Sequence, residues 1–146
     1  MIRKSIIWSI VCCGLMAGCA EHSSRDISRE RISHERIHHA VATDTRLQLG
    51  KAYLAERNLP AAKFHFQKIL RVEPHHPEAN LGMALHDQYA GQPESADQHY
   101  RMAMQYGAGN DTVVRNYAVF LCEQKRYEEA KRLVTESNIT LYDCNK

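Results

Sequence analysis

The feature that most limits what this chain can become is an interval. Within residues 43–76, small and large side chains stand at fixed steps: Leu49, Gly50 and Tyr53, then Ala62 and Phe66, then Pro74, with Asn58-Leu59-Pro60 interrupting the run between them. Moving on by 34 residues places Met83 and Ala84 where Leu49 and Gly50 stood, and Ala96, Tyr100 and Ala103 where Ala62, Phe66 and Ile69 stood. A second step of the same length reaches Tyr117, Ala118, Leu121, Ala130 and Val134.

A period of about 34 residues in this order is the signature of the tetratricopeptide repeat, a helical hairpin in which small residues let two helices approach and large ones fill the gap. One hairpin cannot cover its own apolar face, and about three are needed for a stable stack. The expected fold class is therefore all-α: a tetratricopeptide-repeat α-solenoid of three helical hairpins, residues 43–76, 77–110 and 111–137, followed by a tail, residues 138–146. Thr43 or Asp44 should cap the first helix, and Pro60, Pro77 and Pro93 should open later ones, where a missing N–H costs nothing. Gly91 and Gly107 suit helix ends, and Asp111 can cap the third repeat. Lys125 falls where a glycine would turn the chain most easily.

Stacked hairpins line a concave face with the first helix of each repeat. The spacing points Leu47, Lys51 and Leu54, then Leu81, Leu85, Gln88 and Tyr89, then Arg115, Val119 and Glu123 toward it. Such a groove is largely apolar with a few charges and suits a hydrophobic protein segment, helical or extended, as its partner. No recurring Lys, Asn and Arg set for a terminal carboxylate is present. The alternative is that some of these leucines pack on neighbouring helices.

The amino terminus carries a different signal. Arg3 and Lys4 precede an apolar run over residues 6–16, then Ala17, Gly18 and Cys19, the order of a bacterial export signal of residues 1–18. The run is too short to span a bilayer. Leu15-Met16-Ala17-Gly18-Cys19 resembles a lipoprotein box, in which cleavage before the cysteine is followed by its acylation. Each buried methylene contributes about 0.8 kcal/mol and stable anchoring takes two chains or more, so a triacylated Cys19 would be an almost permanent membrane anchor. Ala20 stands where an aspartate would retain an enteric-type lipoprotein in the inner membrane, which points to the outer membrane, periplasmic face.

Formal charge is +2, and Arg3 and Lys4 account for the whole excess. No basic patch supports a nucleic-acid partner. Residues 19–42, the lipidated cysteine and a polar tether, are rich in Ser, Arg, Glu and His; as a coil the segment would span about 25 to 30 Å. A helix is the alternative, because Arg and Glu are good helix formers.

Inside this tether, His34-Glu35-Arg36-Ile37-His38 matches the HExxH pattern of zinc proteases, in which histidines four apart on a helix share a metal and the glutamate activates water. The segment is polar, and the chain lacks the mass of a protease domain that would supply a third ligand and a cleft. The expectation is no enzyme, no cofactor and no small-molecule substrate, with His34 and His38, and His39 beside them, left as weak candidates for adventitious metal. His75 and His76 lie in an inter-repeat turn without a partner at fixed spacing and read as surface residues.

Of five cysteines, Cys12 and Cys13 fall in the signal and Cys19 takes the lipid. Cys122 and Cys144 remain, an even pair in an oxidising compartment. A bridge between them would tie the tail onto the third repeat; in the alternative both stay reduced and Cys122 acts as a small buried hydrophobe.

The lipoprotein box, the run Leu47-Gln48-Leu49-Gly50-Lys51-Ala52-Tyr53-Leu54, and above all Asn116-Tyr117-Ala118-Val119-Phe120-Leu121-Cys122-Glu123-Gln124 followed by Arg126-Tyr127-Glu128-Glu129-Ala130 resemble the type IV pilus biogenesis and stability lipoproteins of the PilF/PilW family. The resemblance implies a pilotin-like scaffold, lipid-anchored in the outer membrane, whose groove helps the pilus secretin reach that membrane and assemble. Family members carry more repeats than the three legible here. Two other readings stay open: an adaptor lipoprotein of another envelope secretion or adhesion system, and, more remotely, a zinc hydrolase built on His34, Glu35 and His38.

Overall fold

A computed structural model describes residues 18–137 and Cys144, with side chains from Ser28 onward. Residues 1–17, nearly all of the expected export signal, and most of the tail lie outside the described residues. Six helices follow in order: α1 Gly18–Ala55, α2 Leu59–Leu70, α3 Pro77–Tyr89, α4 Pro93–Tyr106, α5 Asp111–Glu123 and α6 Tyr127–Glu136. The chain divides into two compact units, Met1–Ala42 and Thr43–Lys146. Among the described residues no helix is long and apolar enough to cross a membrane.

The tether segment takes the helix rather than the coil. Between Gly18 and Gly50 the sequence has neither glycine nor proline, and Arg, Glu and Ala favour continuation, so nothing starts a new helix at residue 43. Thr43 is correspondingly no cap: it lies within α1, and its hydroxyl donates to Glu73 Oε1 at 3.1 Å.

From Thr43 on, the hairpins α1/α2, α3/α4 and α5/α6 repeat one turn. Arg57, Gly91 and Lys125 stand 34 residues apart and all adopt left-handed backbone, with φ of 59°, 69° and 60°. After each, an amide closes back five residues onto the preceding helix: Asn58 onto Tyr53 at 2.9 Å, Gln92 onto Asp87 at 2.8 Å and Arg126 onto Leu121 at 2.8 Å. This Schellman closure satisfies carbonyls that a helix end leaves open, and it recurs although only Gly91 is a glycine. The helix starts are set as locally. Asn58 accepts from the Ala61 amide, and Asn110, not Asp111, caps α5 by accepting from the amides of Thr112 and Val113.

The core follows the same period. Phe66 is fully buried, its ring lying against Gly50 of α1 and Gly82 of α3, so one side chain joins the first hairpin and the second. Tyr100, 34 residues later, is equally buried, its ring 5.1 Å from those of Tyr117 and Phe120. Its hydroxyl donates to Gln88 Oε1 at 2.7 Å, which satisfies the one polar atom carried inside.

The second hairpin departs from the apolar rule. His86 and Asp87 occupy the places of Ala52-Tyr53 and Phe120-Leu121, yet both are buried. His86 Nδ1 lies 2.7 Å from Asp87 Oδ1, and Ser95 donates to Asp87 Oδ2 at 2.5 Å. Asn80, also buried, donates to the carbonyls of Pro74 and His76 and meets His99 Nδ1 at 3.1 Å. Buried polar groups are tolerated when paired, and these are.

Candidate functional site

The surface on α1, α3 and α5 is the candidate site, and the structure sorts its ten expected residues into three kinds. Leu47, Leu54 and Leu81 are only 5%, 7% and 7% exposed. They fill the hairpin cores, as hydrophobes on the inner edge of a helix pair do when a neighbouring helix closes over them, and offer no face to a partner. Leu85 and Gln88 are half-buried, and Lys51, Tyr89, Arg115, Val119 and Glu123 are exposed.

The exposed members are tied across successive repeats. Lys51 Nζ on α1 meets Glu78 Oε2 on α3 at 2.5 Å, and Gln88 on α3 donates to Glu123 Oε2 on α5 at 2.6 Å. The Arg57 guanidinium sits 3.8 Å above the Tyr89 ring, a cation–π contact. Glu78 and Arg57 were missed by reading the sequence. Arg57 had a signal, since it shares the turn position with Gly91 and Lys125; Glu78 had none. The surface thus combines Tyr89, Val119 and the rim of Leu85 with the Lys51–Glu78, Gln88–Glu123 and Arg57–Tyr89 contacts.

Behind this face a second polar group joins the second and third hairpins. Asp97 on α4 accepts from the Tyr117 hydroxyl at 2.8 Å, Arg126 Nη1 at 2.6 Å and Arg101 Nε at 2.7 Å, while Arg126 also grips both oxygens of Glu129 at 2.7 Å. Burial raises the Asp97 carboxyl, but the bonds from Arg101, Arg126 and Tyr117 outweigh it and hold the group below its ordinary value. Tyr117 is raised, by burial and then by its bond to Asp97.

Cys122 and Cys144 are joined as a disulfide, their Cα atoms 5.5 Å apart, and both pack against the core cluster that holds Tyr100, Tyr117 and Phe120. Cys19 is the second residue of α1, where only the backbone is described. His34 and His38 share a face of α1 with ring centroids 4.4 Å apart, beside Glu30, Arg31 and Glu35. Among the described residues no group of three or more His, Cys, Asp and Glu side chains is arranged to hold a metal ion. His75 stacks on Tyr106 at 4.2 Å, and His76 accepts the Ala79 amide through Nδ1 to cap α3.

No protein-family model matches the chain. It is 41% identical over 102 residues to a type IV pilus assembly protein, PilF, of Pseudomonas aeruginosa, a match covering 69% of this chain and 40% of the relative. An uncharacterised protein of Haemophilus influenzae is 29% identical over 96 residues, covering 66% of this chain and 54% of that one. Among solved structures, P. aeruginosa PilF superposes with a TM-score of 0.65 at 37% identity, over 68% of this chain and 45% of the other. The chain spans less than half the length of the PilF it matches. Helical hairpins at a constant interval, together with this identity and superposition, make the chain a PilF-like tetratricopeptide-repeat protein.

Proposed function

We propose that this chain serves type IV pilus biogenesis as a non-enzymatic, protein-binding scaffold. In this reading Cys19 carries lipid that holds the chain at the periplasmic face of the outer membrane. The face of α1, α3 and α5 takes a hydrophobic segment of a pilus-assembly subunit, the secretin first among them, and assists its assembly or placement in that membrane. The observation that carries the reading is the 41% identity to a protein named for pilus assembly. The exposed Tyr89 and Val119 support a protein ligand, since aromatic and aliphatic groups beside a polar rim are the usual composition of an interface.

The test is a deletion strain complemented with wild-type chain, Cys19→Ser or Tyr89→Ala. Loss of surface pili and of secretin rings on deletion, with restoration by wild type alone, is expected. Normal pili and rings in the deletion strain would overturn the role, and a different co-purifying partner would move the chain to another envelope machine.

A further inference from the structure

The HExxH segment has no part in the function proposed above, yet its geometry is that of a metal chelate. Four residues on an α-helix advance about 6 Å along the axis and return to nearly the same side. On α1 this sets the His34 and His38 rings with centroids 4.4 Å apart. Two imidazole nitrogens can each lie about 2.0 to 2.1 Å from one cation when they approach each other to about 3 Å, a small rotation of exposed rings at that spacing. The depression they line also contains Glu30, Arg31 and Glu35. Both histidines are exposed, so a metal displaces no core contact.

We propose that His34 and His38 form a two-imidazole chelate on α1 for a borderline divalent transition metal, with water completing its coordination. Nitrogen donors select Ni²⁺, Cu²⁺ and Zn²⁺ over Mg²⁺ and Ca²⁺, which prefer all-oxygen shells, and the affinity order places Cu²⁺ above Ni²⁺. Glu35 lies about 100° round the helix from His34 and is no ligand; Glu30, one turn before His34, lines the same depression. The bound ion would clamp one turn of α1 and raise the protection of its amides.

Ni²⁺ titrated into the full-length chain, its thiols first alkylated with iodoacetamide, tests this by calorimetry and hydrogen exchange. One equivalent should bind, and exchange should slow across residues 30–42. His34→Ala or His38→Ala should each weaken binding at least about tenfold, because the second imidazole acts intramolecularly. Glu35→Gln should bind as wild type, and Mg²⁺ should not compete. Wild-type affinity in the His34→Ala/His38→Ala chain would place the metal elsewhere and overturn the site. So would loss of binding in Glu35→Gln, or slowed exchange confined to other helices. These outcomes are independent of pilus assembly.

Discussion

The ring of Phe66 on α2 lies so close to Gly82 on α3 that a methyl group in place of the glycine hydrogen would collide with it. Gly50 stands on the other side, where an added Cβ would come within 2.6 Å of the same ring. The first two hairpins therefore stack by letting two helix backbones close on one aromatic side chain.

Gly82→Ala should overpack this contact and destabilise the chain by about 1 to 3 kcal/mol, while Phe66→Ala should cost about 3 to 5 kcal/mol by opening a cavity. Because both changes act on one contact, they should couple. Phe66→Leu in the Gly82→Ala background should cost less than Phe66→Leu alone, as measured by urea unfolding in a double-mutant cycle. Additive costs would mean that the ring does not carry the joint.

The three left-handed turns give a second test. Lys125 is exposed and holds φ of 60°, a conformation that costs a side-chain-bearing residue about 1 to 2 kcal/mol and glycine almost nothing. Lys125→Gly should raise the melting temperature, with a gain of up to about 1 kcal/mol, whereas Gly91→Ala should lower it. Arg57→Gly should gain less, because it removes the cation held over Tyr89.

Acid should weaken the chain in two steps, read from melting temperature against pH. His99 is held below its ordinary value, chiefly by burial and further by His86, against the pull of Asp87. The unfolded chain then binds the proton more readily, so this contribution is complete above about pH 6.5 and is lost as pH falls through the lower folded value. Asp97 is lowered too, so its contribution is complete above about pH 4 and is lost on further acidification. His99→Gln should flatten the upper step alone and Asp97→Asn the lower one alone.

Joining Cys122 and Cys144, 22 residues apart, restricts the unfolded chain and should stabilise the fold by about 3 kcal/mol in the chain-entropy account. Cys144→Ser should lower stability by a similar amount, and a reducing agent should then have no further effect. Peptide mapping under non-reducing conditions should recover the Cys122–Cys144 pair; free thiols at both positions would contradict it.

Reading by interval located the hairpins because the constraint is local and repeated. A small residue at Gly50, Ala84 and Ala118, and another at Ala62, Ala96 and Ala130, are demands that every unit makes alike. Where a residue answered to one unit's neighbours instead, the interval was silent. It matched Gly50 with Ala84 and passed over Gly82, although Gly82 is what Phe66 rests on. It also placed Leu47, Leu54 and Leu81 on an open face, since the burial of an inward-leaning leucine depends on how closely the next helix approaches. The pairing of Lys51 with Glu78, the buried His86-Asp87 pair and the gathering of Arg101, Arg126 and Tyr117 on Asp97 join residues 1 to 29 positions apart with no common period. The sequence by itself determined the hairpins, their turns and their order, because those follow from backbone preference and spacing within one repeat. Only the tertiary structure decided which side chains are spent on the core and which are left for a partner, because burial depends on distances between helices that no single stretch of chain encodes.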